Sequence, residues 1–265
     1  MSGLAGSLTG FLALARMFGE PLYLNRAADC ADQILARARR HDDALCWPST
    51  LIAGAPALLG LSHGASGIAV ALLEAAHATG EARFKQAAAR GFEYERLLFD
   101  TDARNWPDLR NLSPSPSSER SFATYWCHGA PGVALARIRA LELGRAETAH
   151  SEAQIALQTT RAAVRTALQV GQSNFSLCHG VCGNAEVLME GRRWLSAEGA
   201  DGEGREWPAQ VAESGVRFYG ASAAHWPCGT HGGSTPSLFL GLAGIGHFYL
   251  RAAHPEIPSV LYIRP

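Results

Sequence analysis

The chain alternates between two kinds of helical segment. Five stretches carry little charge and are apolar around most of the helical circumference: "SGLAGSLTGFLAL" from residue 2, "SHGASGIAVALLEAA" from 62, "CHGAPGVALARIRAL" from 127, "CHGVCGNAEVLME" from 178 and "LGLAGIGHFYLRAA" from 240. Such segments predict helices buried on most sides. Between them lie the more polar stretches "PLYLNRAADCADQILARARR", "EARFKQAAARGFEYERLLF", "AETAHSEAQIALQTTRAAVRTALQ" and, less sharply, "GREWPAQVAESGVRFYG". These predict amphipathic outer helices. Turns such as "FGEP" and "TGEA" join an apolar helix to the polar one that follows. Their glycine suits a helix C-cap and their shortness forces an antiparallel pair, so the expected unit is an αα-hairpin.

The apolar stretches are repeats of one another. Each opens with Gly-x-x-Gly, and the first glycines are Gly3, Gly64, Gly129, Gly180 and Gly241, at a spacing of roughly 50 to 65 residues. Hairpins with an apolar inner helix and an amphipathic outer one bury their inner faces by stacking around an axis, which gives an all-α fold, an α/α toroid. The inner helices then run parallel and their N-termini gather at one end. There the residues just before the glycines converge: Ser2, His63, Cys127 with His128, Cys178 with His179, and Leu240. The longer joins, "RHDDALCWPSTLIAGAPALLG", "DTDARNWPDLRNLSPSPSSERSFATYW" and "SAAHWPCGTHGGSTPSLFL", hold much of the Trp, Pro and Ser and are expected to wall that rim. None reads as a domain linker, so residues 1–265 are expected to form a single domain.

Composition narrows the setting without changing this picture. With 47% hydrophobic and 18% charged residues in 265, the chain has the make-up of a globular protein with a sizeable core. A formal net charge of -1 and the lack of a basic block argue against nucleic acid or an anionic membrane as the main partner. No run reaches the roughly 20 apolar residues of a membrane span. The first residues lack the charged start of a secretion signal, so the expected location is cytoplasmic and the six cysteines are expected to be reduced.

Thiolate chemistry is therefore available at the rim. Two cysteines and a histidine meeting at one point suit zinc, whose thiolate and imidazole ligands can number three in a catalytic site with the fourth position open to water or a substrate thiol. Cys127, Cys178 and His179 are the expected ligands, because Cys-His-Gly occurs twice at equivalent repeat positions. Cys182 competes by proximity but lies inside its Gly-x-x-Gly. Cys30 reads as core, and Cys46 and Cys228 are left open. His63 occupies the aligned position without a cysteine, as a site histidine or as a bridge between helices. His128 is left as a ligand-orienting group, a substrate contact or an acid. Asp108, Arg110 and Arg120 are expected to sit in solvent, with peptide binding as the alternative.

The segments "SHGASGIAVAL", "WCHGAPGVALAR", "LCHGVCGN" and "TPSLFLGLAGIG" resemble the lanthionine synthetase C-like family, and "YERLLFD", "NWPDLR" and "HPEIPSVL" look most like the C-terminal cyclase domain of its bifunctional type 2 synthetases. The resemblance implies a zinc site at Cys127, Cys178 and His179 and an active-site histidine at His63. It implies a reaction in which a cysteine of a dehydrated precursor peptide adds to dehydroalanine or dehydrobutyrine and closes a (methyl)lanthionine ring. It also implies seven hairpins, of which the five kernels here account for five of seven. The family aspartate that precedes the kernel matching "SGLAG" has no counterpart, and "SFATYW" stands where an arginine sometimes precedes the first zinc cysteine. Nothing resembles a kinase-like region, so dehydration is expected from a separate dehydratase or an upstream domain. Competing readings are a zinc-stabilised peptide-binding module without catalysis, an inactive fragment of a larger synthetase, and an enzyme that adds a small thiol to a dehydroamino acid.

Overall fold

The computed structural model describes residues 3–49, 56–111, 120–144, 148–171, 174–194, 203–220, 226–230 and 233–265. Four hairpins follow one another: α1 (Gly3–Phe18) with α2 (Pro21–Ala36), α3 (Ala65–Thr79) with α4 (Ala82–Leu97), α5 (Ala130–Glu142) with α6 (Ala149–Val170), and α7 (Val181–Gly191) with α8 (Glu203–Tyr219). A fifth inner helix, α9 (Leu242–Ala253), packs on α7 and α8. The odd-numbered helices neighbour one another in sequence order and form the inner layer of an α/α toroid. Ser2 and parts of the long joins lie outside the described residues.

Burial follows the two sequence patterns. In α3, every residue from Ala65 to Ala75 is buried except the half-buried Ile68, and in α7 every residue from Val181 to Leu188 is buried. In α2, only Ala27, Cys30, Ala31 and Ile34 are buried, one face at the helical repeat. The glycine kernels have a steric cause. The first helical N–H turns back to a carbonyl seven residues earlier, from Ala65 to Leu58 at 3.0 Å, Val181 to Asn174 at 2.8 Å and Leu242 to Thr235 at 2.8 Å. The incoming loop thus lies flat on the first helical turn. A side chain at Gly183 would run into the carbonyl of Leu177.

The join after α2 contains structure that the sequence reading treats as loop. Arg39–His41 (β1) and Ala44–Cys46 (β2) pair antiparallel, with Arg40 opposite Leu45. Asp42 takes a left-handed φ of 53° in the turn, a conformation that Asp tolerates better than most residues. Trp47 then buries its ring and donates its indole N–H to Ile34 O at 2.9 Å.

The inner helices also carry more charge in their buried layer than their Ala/Leu/Val pattern suggests. Glu95 of α4, fully buried, accepts N–H bonds from Gly60 at 2.8 Å and Ser66 at 2.9 Å and a hydroxyl bond from Ser66, so its carboxylate sits at the N-terminus of α3. Arg137 of α5 meets it at 3.1 Å, reaches Glu152 of α6 at 2.5 Å and stacks on Phe92 at 4.1 Å. On the inner side, Arg139 grips Glu74 of α3 while Tyr262 donates to the same carboxylate at 3.0 Å.

The closing segment runs across this inner layer. Ser259 bonds Glu186 of α7, Leu261 O accepts from the Trp126 indole at 2.9 Å, Arg264 pairs with Glu142 and Glu190, and Arg16 of α1 reaches Pro265 O at 3.0 Å. The inner faces are therefore partly covered, with Leu261 and Tyr262 buried among them. Met17 and Phe18, at the end of α1, remain exposed. Among the described residues, no helix is long and apolar enough to cross a membrane.

Glu95→Ala should lower the free energy of unfolding by about 3–5 kcal/mol, because it removes one of the two carboxylates that pair the buried Arg137 and leaves the Gly60 and Ser66 N–H groups without their acceptor. Urea denaturation followed by circular dichroism measures this, and adding Arg137→Met should recover part of the loss.

Candidate functional site

The two Cys-His-Gly segments meet through their backbones. Residues 125–128 form a tight turn in which the N–H groups of Tyr125 and His128 each donate to the other's carbonyl, at 2.9 and 3.1 Å. The turn presents the Cys127 N–H to Cys178 O at 3.3 Å, and Cys178 in turn donates to Phe239 O at 2.9 Å. The residue two before the kernel glycine thus bonds its equivalent in the next repeat. Where the third repeat lacks the carbonyl turn-back, Asn105 replaces it. Its Oδ1 accepts from Ala130 N at 2.8 Å and Trp106 N at 2.9 Å, while Nδ2 donates to Ala123 O at 3.1 Å. Gly129, at a φ of 84°, could not carry a side chain there without striking Ala123 O.

This stitching brings one ligand atom each of Cys127, Cys178 and His179 within 4.8 Å of one another, with Cys127 buried and the other two half-buried. His179 Nε2 lies 3.1 Å from Gly229 O. A carbonyl only accepts, so Nε2 carries the proton and Nδ1 is the nitrogen left for a metal. The ring is steadied by an edge contact with Tyr125 at 5.9 Å between centroids.

Cys127 is hydrogen-bonded to both Cys178 and His179. The hydrogen bond to Cys178, with burial adding to it, pushes the Cys127 thiol up, and the same bond holds Cys178 below the usual thiol range. The bond with Cys127 raises His179 against the opposing effect of burial. Of the two thiols, Cys178 is therefore the one more readily ionised. Two thiols and an imidazole with one free nitrogen, grouped among the described residues without a carboxylate, form a set suited to zinc.

Beside this cluster the His63 and His128 rings stack at 5.4 Å with an interplanar angle of 28°. His63 is exposed and touches Ser62 Oγ at 3.2 Å. His128 is buried, and its Nε2 has no hydrogen-bond partner among the described residues. Burial first and the Arg110 charge second hold His128 down at about 4, with Asp108 offsetting part of that effect. Burial and Arg110 also lower His63.

Asp108 departs from the expectation that it sits in solvent, whereas its partner Arg110 is exposed. Asp108 is buried, its N–H bonded to Ser121 O at 2.8 Å. Its carboxylate takes the Arg110 guanidinium through Nε at 2.9 Å and Nη2 at 2.5 Å. Although burial opposes it, that fork holds the Asp108 carboxyl below the usual range. The Asp-x-Arg spacing was the available signal, but nothing in the sequence ties it to cysteines further along. Arg120 does lie in solvent, 3.5 Å from Asp100. Cys182 is fully buried with its thiol pushed well up by burial, a packing residue on α7, and Cys30 is core. Cys46 and Cys228 are half-buried and outside the ligand cluster.

Comparison with known proteins matches residues 1–262 to the lanthionine synthetase C-like protein family. The chain belongs to that family. It is 26% identical over 139 residues to the lacticin 481/lactococcin biosynthesis protein LcnDR2 of Lactococcus lactis subsp. lactis, an alignment covering 48% of this chain and 13% of that protein. The solved structure of nisin cyclase superposes with a TM-score of 0.60 at 16% identity, covering 96% of this chain and 62% of nisin cyclase. The family member described here thus has the fold of nisin cyclase while spanning less than two thirds of it.

The depressed His128 gives stability a pH dependence. As pH falls below about 6.5 the unfolded chain protonates at this residue, while the folded chain resists until about 4. Its contribution is therefore complete above pH 6.5 and lost on the way down to 4. The loss should amount to at most about 3 kcal/mol. Unfolding of the metal-free protein measured between those limits should show a shallower decline for His128→Asn than for the parent chain.

Proposed function

We propose that this protein is a zinc-dependent lanthipeptide cyclase, acting on a precursor peptide that a separate dehydratase or an upstream domain has dehydrated. The observation that carries the reading is the meeting of Cys127, Cys178 and His179 beside the His63–His128 pair, in a chain of the lanthionine synthetase C-like family. Likeness to nisin cyclase supports the fold on which the reading rests.

Cys127, Cys178 and His179 would hold the zinc, with His179 using Nδ1. Zinc in such a site supplies a positive charge that favours ionisation of a peptide thiol, which is otherwise mostly protonated at neutral pH. The protein's own residues do the rest. Thiolate addition to the dehydro residue leaves charge on its α-carbon and acyl oxygen, and the α-carbon then needs a proton. His63, exposed at the rim and stacked on a buried imidazole, is the group assigned to deliver it. His128, stacked against it from the buried side, is assigned to fix the ring of His63. Gly229 O keeps His179 in the tautomer that leaves Nδ1 free.

Incubated with a dehydrated precursor, the protein should lower the number of free thiols without changing peptide mass, because intramolecular addition is an isomerisation. Alkylation followed by mass spectrometry reads this. The purified protein should hold about one zinc per chain. Cys178→Ala should lose both metal and closure. His63→Ala should keep the metal and slow closure by about 10²–10⁴. Peptide binding without closure above the spontaneous rate would replace the enzyme with a binding module.

A further inference from the structure

Arg110 is a cation pinned beside the candidate centre with part of its hydrogen-bonding capacity unused. Its side chain is 38% exposed, whereas the Asp108 side chain that holds it is 4% exposed. The carboxylate accepts from Nε and Nη2, and the Arg110 main-chain N–H adds a bond at 3.1 Å to the same carboxylate. Both Asp108 and the guanidinium are thus fixed in orientation. A guanidinium has five N–H donors, and a side-on carboxylate takes two. Among the described residues, Nη1 makes no hydrogen bond.

The segment that carries Arg110 lies along the loop leading to Cys127 and His128: Asp108 N–H donates to Ser121 O at 2.8 Å, and Asn105 Oδ1 accepts from Ala130 N at 2.8 Å. The Arg110 charge acts on Cys127, Cys178 and His179 and on both stacked histidines. The buried His128 Nε2, without a partner among the described residues, is a second unused polar atom in the same neighbourhood. Neutralising Asp108 needs only one edge of the guanidinium. A rigid donor with its other edge free, next to thiols and histidines, has the character of an anion-binding group set up before the anion forms.

We propose that Arg110 is a catalytic residue that binds the acyl oxygen of the dehydroamino acid through Nη1 and stabilises the enolate formed on thiolate addition, Asp108 serving as its positioning residue. The proposal rests on the cyclase reading. In the step, sulfur forms a bond to the β-carbon, the electron pair of the α,β double bond moves into the α-carbon–acyl bond, and the acyl oxygen takes the negative charge beside Arg110. The α-carbon then accepts a proton and the carbonyl re-forms. The proton lost from the peptide thiol balances the one gained at carbon.

The test uses the full chain loaded with zinc and a dehydrated precursor peptide. Arg110→Gln should lower kcat by about 10²–10³ while KM stays within about threefold, the loss seen when one oxyanion donor is removed. Zinc content should match the parent chain. Because Arg110→Gln strands the buried Asp108, the double variant Asp108→Asn/Arg110→Gln provides a chain without that unpaired charge and should show the same kcat. In Arg110→Ala, added guanidinium ion should restore part of the rate, which a purely structural arginine would not allow. Asp108→Asn alone should give an intermediate loss. A rise in KM at unchanged kcat would make Arg110 a contact for a peptide carboxylate and overturn the proposal. So would a kcat that falls less than threefold, or only in step with lost zinc or lost folding. If the parent chain closes no rings, the cyclase reading itself fails and the proposal falls with it.

Discussion

The hydrogen bond from Cys127 N–H to Cys178 O sets the geometry on which everything at the rim depends. It joins equivalent positions of adjacent repeats, so the side chains beside it leave the backbone in related directions and their sulfur atoms meet. Register between inner helices at this end is then fixed by main-chain atoms and not by the size of particular side chains. The glycines matter for the same reason. Only with a hydrogen in place of a side chain can the incoming loop lie on the first helical turn, and only then do the loops of neighbouring repeats come within bonding distance.

A second layer of constraint is electrostatic. Glu95 belongs to an outer helix, yet it accepts from Gly60 in the loop that carries His63 and from Ser66 in the first turn of α3. Its partner Arg137 belongs to the inner helix that starts beside Cys127 and His128. The two histidines are thus supported from opposite sides of one buried ion pair. Such a pair contributes little net stability over an apolar replacement, but it penalises any arrangement in which the two loops are offset. We assign it to specificity of position.

Much of this architecture was legible in the sequence because it is periodic. Five glycine kernels mark five inner helices, the one-sided pattern of "PLYLNRAADCADQILARARR" marks an outer one, and repeated Cys-His-Gly aligned three potential ligands that the fold does bring together. What escaped notice lacks periodicity. Arg137 and Arg139 look like charge interrupting an apolar helix until their partners, Glu95 and Glu74, are known from 42 and 65 positions away. Asp108 and Arg110 read as an ordinary polar loop because nothing local signals that the aspartate is buried. The β1–β2 hairpin is three residues a side, too short for alternation to register.

The segment that crosses the inner helices has a consequence for how the molecule comes to be folded. Hairpins such as α3–α4 join neighbours in sequence and can form as the chain emerges from the ribosome. The bond between Arg16 and Pro265 spans 249 positions, and those of Tyr262 to Glu74 and Leu261 to Trp126 span 188 and 135. Until the final residues of this sequence have been synthesised, Glu74, Glu142 and Glu186 lack these partners. The array of helices therefore has to wait in a loosely tied state, and the slowest and most aggregation-exposed moment in its biogenesis is expected just before that strap is laid across it.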